Sequence, residues 1–106
     1  MWLDKCITEE MPFLISVKDK KNAIVFEVFG SAPVQATGEV DGRDFHFYAR
    51  HSEWVCEVAD REAGAEAFMR KGKWKDASFM ALRDALEIID SCLAEYLADQ
   101  EEACER

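Results

Sequence analysis

Apolar and polar positions follow two different periods along this chain. In the first half, short apolar runs are separated by turn-forming residues. Pro12 to Val17 reads Pro-Phe-Leu-Ile-Ser-Val and opens on proline, where a missing N–H does least harm to a strand. Lys18 to Asn22 is a polar turn. Ala23 to Phe29 is rich in the β-branched and aromatic residues that pleated surfaces accommodate, and Gly30-Ser31-Ala32-Pro33 breaks it.

The strongest local signal comes next. Val34 to Val40, Asp41-Gly42 and Phe45 to Arg50 predict a β-hairpin, because Asp-Gly fills the two positive-φ positions of a type I′ turn. Alternation then puts Phe45, Phe47 and Ala49 on one face and His46, Tyr48 and Arg50 on the other. A turn at Ser52-Glu53 leads into Trp54 to Val58, with Trp54, Cys56 and Val58 on one side. Neighbouring strands of this kind form a meander most simply.

From Asp60 the period lengthens. Asp60 suits a cap for a short helix through about Met69, and Arg70 to Asp76 reads as a basic, glycine-containing loop. A long helix opening at Asp76 or Ser78 carries Phe79, Leu82, Leu86, Ile89, Leu93, Tyr96 and Leu97 at three- and four-residue spacing. The expected architecture is one α+β domain over 1–106, β-rich over 12–59 and helical over 60–104. An antiparallel meander of roughly four or five strands packs against the long C-terminal helix, with the short helix before it.

Composition supports a folded chain: 49% of its 106 residues are hydrophobic, including seven Phe and three Trp, which disordered chains lack. Charge adds more. With 22 acidic and 13 basic residues the formal net charge is −9, so phosphate backbones and anionic membranes are repelled and a basic protein surface is attracted. Direct DNA or RNA binding is therefore not expected. The first residues lack a charged, apolar leader, no apolar run approaches the ~20 residues that span a bilayer, and the four cysteines form no C-x-x-C pair. These features predict a cytoplasmic protein with reduced thiols; pairing of the thiols is the alternative.

The acids concentrate in the last helix. Asp84, Glu87, Asp90, Glu95, Asp99, Glu101, Glu102 and Glu105 follow one another with Arg106 as the one base among them. Asp84, Glu95 and Glu102 fall within about 20° of one another, opposite the apolar stripe, on a rod about 30 Å long. Either this is a solvated face, or Asp84, Glu87, Glu95, Asp99 and Glu102 form a partner-binding surface for a site lined by Lys and Arg. The one-sided sign favours the second, since a merely solvated helix mixes Lys with Glu. Arg70, Lys71, Lys73 and Lys75 surround Trp74, a pattern that serves phosphate contact with stacking, or simple pairing with nearby acids while Trp74 covers the core. His46 and His51 point to opposite faces and cannot share a metal without a bulge. No phosphate loop, nucleophile elbow or H-E-x-x-H occurs, so neither catalysis nor a cofactor or metal is expected.

Gly38 to His51 with Trp54 resembles a group of short, uncharacterised bacterial proteins that carry a G-x-V-D-G-x-x-F-x-F-x-A-R hairpin, a Trp shortly after it and a helical C-terminus. Ala77-Ser78-Phe79-Met80 is similar to the step that opens their helix. That resemblance implies the fold and carries no activity. In size and charge the chain also resembles the anti-CRISPR proteins of phages and mobile elements. This implies an acidic inhibitor acting in the host cytoplasm, which occludes a basic nucleic-acid-binding surface of a CRISPR effector subunit by mimicking DNA charge. Alternatives are an assembly protein dimerising through Leu82, Leu86, Ile89, Leu93 and Tyr96, which approximate a heptad seam, and a small enzyme using His46, Tyr48 and Arg50.

Overall fold

The computed structural model describes residues 6–30, 33–59 and 68–104, without the side chains of 100–104. Seven antiparallel strands follow one another in space as they do in sequence: β1 (Ile7–Met11), β2 (Leu14–Asp19), β3 (Ile24–Phe29), β4 (Val34–Val40), β5 (Arg43–Arg50), β6 (Glu53–Ala59) and β7 (Phe68–Lys73). One helix, α1 (Leu82–Cys104), packs on one face of this sheet. The class is α+β; among the described residues, a meander is covered on one side by one long helix.

Alternation decides which face the helix covers. Ile15 and Val17, Ile24, Phe26 and Val28, Phe45, Phe47 and Ala49, and Cys56 and Val58 are all buried on the same side. The helix supplies Ala85, Leu86, Ile89, Cys92, Leu93 and Tyr96 to that core. The other face carries Val25, Glu27, Thr37, His46, Tyr48 and Arg50, and among the described residues no element packs on it.

The β4–β5 hairpin forms as its sequence predicts. Val40 pairs with Arg43, and both Asp41 (φ 52°) and Gly42 (φ 76°) are left-handed. At the β2–β3 turn, Asp19 Oδ1 accepts from the Lys21 amide at 3.1 Å, and Asn22 Nδ2 donates to Asp19 Oδ2 at 2.7 Å. The next turn falls one residue earlier than predicted. Arg50 pairs with Glu53, so His51 (φ 59°) and Ser52 make it.

Four expectations need correction. The sheet has seven strands, not four or five. Its extra members, β1 and β7, are edge strands, and pairing on one side lets them be polar enough to escape a search for apolar runs. Pro12 lies with Phe13 between β1 and β2, where Met11 pairs with Leu14, so it occupies a turn. The short helix and the basic loop are also misread in part. Residues 60–67 lie outside the described residues, whereas Phe68–Lys73 is a strand paired with β6. Gly72, which argued for a loop, lies against the Trp54 ring of the neighbouring strand, and a Cβ there would sit 2.4 Å from the ring and force it to shift. Finally, α1 begins at Leu82; Phe79 stands in a preceding single 3-10 turn and is 77% exposed, so it is not part of the stripe.

Edge strand β7 keeps cations along its length, a charge pattern that opposes edge-to-edge pairing. Replacing Lys71 and Lys73 together with Val should shift the protein toward larger species in size-exclusion chromatography. An unchanged elution profile would show that the edge needs no such protection.

Candidate functional site

The helix is held across the sheet at both edges. Near its start Arg83 grips Glu10 of β1 with two parallel bonds, Nε to Oε1 and a terminal nitrogen to Oε2, each 2.9 Å. Further along, Glu95 Oε2 accepts from Arg70 Nε of β7 at 2.8 Å. These pairs are half exposed, so each contributes at most ~1 kcal/mol and mainly fixes the helix direction. Arg70 also lies over the Phe68 ring, 4.3 Å from its centre, and Phe68 meets Tyr96 edge-on at 5.3 Å. Arg43 donates to the Tyr96 hydroxyl from beneath.

With that orientation fixed, the acidic residues fall where helix geometry dictates. Glu87, Glu95 and Asp99 are exposed, and Asp84 is half-buried in the first turn, where a carboxylate complements the helix dipole. At 100° per residue the four span an arc of about 120°. Glu102 continues the row in sequence, although its side chain is outside the described residues. Asp90 separates from the set, being only 8% exposed. Glu95 is engaged with Arg70, so the solvent-facing charge rests chiefly on Glu87 and Asp99.

The distribution along the axis is unfavourable for the helix itself. Its last turn carries no basic residue, while Asp99, Glu101 and Glu102 occupy the C-terminal half. A helix C-terminus bears partial negative charge, and a carboxylate within the last turn, such as Glu101 or Glu102, costs on the order of 0.3–1 kcal/mol.

A groove of about 270 Å³ opens between this flank and the β6–β7 edge. It is lined by Trp54, Arg70, Lys71, Ile88, Ser91, Cys92 and Glu95. Behind Cys92 lies Cys56 of β6, fully buried. Cys92 is the chief cause that pushes the Cys56 thiol up, reinforced by burial. Cys56 in turn holds the Cys92 thiol down, against burial and Glu95 and with help from Arg70. Sequence reading missed this pair because Cys56 and Cys92 are far apart in the chain and share no motif. Cys6, by contrast, is pushed up by burial and then by the charges of Asp19 and Asp90.

The remaining candidates are dispersed. Lys73 pairs loosely with Glu53 at 3.7 Å, and Trp74 packs against the core with its amide donating to the Ser52 carbonyl at 3.0 Å. His46 and Tyr48 stack at 5.6 Å on the open sheet face, while His51 sits in the β5–β6 turn. Among the described residues no group of three His, Cys, Asp or Glu side chains converges as a metal site. No helix there is long and apolar enough to cross a membrane. The heptad-like residues Leu86, Ile89, Leu93 and Tyr96 are buried against their own sheet.

No protein-family model matches this chain, and neither a curated protein nor a solved structure shows significant similarity to it.

Proposed function

We propose that this is a non-catalytic binding protein whose acidic α1 flank docks on a Lys- and Arg-lined surface of a nucleic-acid-handling protein. The observation that supports it is the placement of acids in the C-terminal half of α1, with no base in the last turn. Stability alone favours the opposite sign at that end. Sequences depart from local consistency most often where function requires it. The helix is also pinned at both sheet edges, so the carboxylates are presented on a rigid ridge at little ordering cost. The size and charge resemblance makes a CRISPR effector subunit the first partner to test, with inhibition by occlusion of its nucleic-acid channel.

An assembly role through the heptad-like seam is less well supported, because those side chains already complete the core.

The test uses Glu87→Lys, Asp99→Lys and Glu102→Lys together, leaving Glu95 and its ion pair in place. Pull-down from lysates expressing CRISPR effector complexes should be strong at low salt and weak at high salt, as expected for a screened charge interface. The triple variant should lose capture by at least about 100-fold, since several close charge pairs reverse sign at once. Its melting temperature should rise slightly, because lysines suit that helix end. Undiminished capture by the variant would overturn the electrostatic reading; failure of the wild type to capture any effector would remove that partner class.

A further inference from the structure

β7 pairs with β6 on one side, and among the described residues no strand pairs with its other side. That side offers a row of backbone donors and acceptors to any extended segment that can reach it. Its side chains select what approaches. Phe68 and Arg70 turn toward α1, so alternation puts Met69, Lys71 and Lys73 on the open sheet face. Lys71, and Lys75 just beyond the strand, are exposed and take part in none of the ion pairs among the described residues. On the helix side of the same edge lies the groove of about 270 Å³. Gly72 has no side chain, so the Trp54 indole lies over β7 and, with Ile88 of α1, makes the groove wall apolar.

We propose that the open edge of β7 takes an extended acidic segment of a partner protein as an added strand. In strand addition, main-chain hydrogen bonds hold the segment and its alternate side chains are chosen by what they meet. Charge complementarity decides the occupant. A second β7 edge would set cation against cation, whereas carboxylates on the open-face side of the incoming strand stand beside Lys71 and Lys73. The residues between those acids point to the helix side, where Trp54 and Ile88 accept an apolar side chain. The pattern recognised is therefore acidic and apolar residues in alternation.

The opposite edge refuses such a segment, because β1 carries Glu9 and Glu10 and its register shifts between Ile7 and Glu9. The net charge of −9 does not prevent binding at β7. At physiological salt, exposed charges more than about 8 Å apart are largely screened, and pairs in contact are not. The edge works without Glu87, Asp99 and the partner proposed for them, so one surface can fail while the other holds.

The probe is a fluorescein-labelled peptide reading Glu-Val-Glu-Ile-Glu-Val-Glu, titrated with the full chain and followed by anisotropy. Saturable binding is expected, and a peptide with Lys in place of every Glu should not bind. Two further versions carry N-methyl groups on alternate backbone amides, one version for each edge of the peptide strand. Their charge is unchanged, yet at least one should bind at least about 10-fold more weakly, because the ladder is broken. Amide signals that move in the NMR spectrum should be those of β7, together with the Trp54 indole N–H. Lys71→Glu with Lys73→Glu should weaken binding at least about 10-fold. The peptide comparisons use the wild-type chain, so a variant that folds poorly does not blur the result. Absence of binding, or equal affinity for both methylated versions, would overturn the proposal. So would a dimer in sedimentation that the peptide dissociates, since a second copy would then be the occupant.

Discussion

Gly38→Val should leave the chain unfolded, with no cooperative thermal transition. Gly38 lies in the middle of β4, paired with Phe26 of β3 and Phe45 of β5. The rings of those two phenylalanines meet over it, 5.2 Å apart. A Cβ at position 38 would lie 2.1 Å from the Val25 carbonyl oxygen and 2.5 Å from the Phe26 Cα. Both are backbone atoms of the adjacent strand, so no rotamer change relieves the contact, and β3 and β4 must separate. Separation breaks the central ladder and unstacks the two rings. Overpacking a core normally costs about 1–3 kcal/mol, and a backbone clash at a sheet centre belongs above that range. Gly38→Ala should therefore lose more than about 3 kcal/mol, and valine's branched side chain more still, enough to leave a domain held by about 5–15 kcal/mol without a stable fold. Circular dichroism on heating decides it: a native-like melt for Gly38→Val would show that β3 and β4 can part without unfolding.

Leu93→Ala should lower stability by about 3–4 kcal/mol, whereas Ala94→Gln, the next residue, should change it by less than about 0.5 kcal/mol. Leu93 is fully buried between α1 and the sheet; Ala94 is exposed. Deleting the leucyl side chain removes its transfer free energy and leaves a cavity walled by β-sheet side chains that cannot collapse. The urea midpoint should fall for Leu93→Ala with little change in the slope, since the folded and unfolded surfaces differ little between the variants. Equal effects at the two positions would mean that the helix does not pack on the sheet through this face.

The same contrast shows how much of the fold was legible in the residues. The β4–β5 hairpin was readable because Asp41-Gly42 supplies two positive-φ positions between runs of period two. The long helix was readable because Leu82 to Leu97 repeat at three and four. Edge strands were not. β1 reads Ile-Thr-Glu-Glu-Met and β7 reads Phe-Met-Arg-Lys-Gly-Lys, and neither shows the apolar run of a strand buried on one face. Each becomes a strand because a neighbour offers an open row of backbone donors and acceptors.

Sequence by itself determined the class, the covered sheet face, and the acidic character of the last helix. Each follows from local periodicity or from residue counts, which need no knowledge of what lies across the core. Tertiary structure alone decided that Gly38 and Gly72 sit beneath aromatic rings, that Glu95 is joined to Arg70, and that Trp54, Arg70 and Cys92 line one groove. These contacts join residues far apart in the chain, and they exist only once the sheet register and the direction of α1 are fixed together.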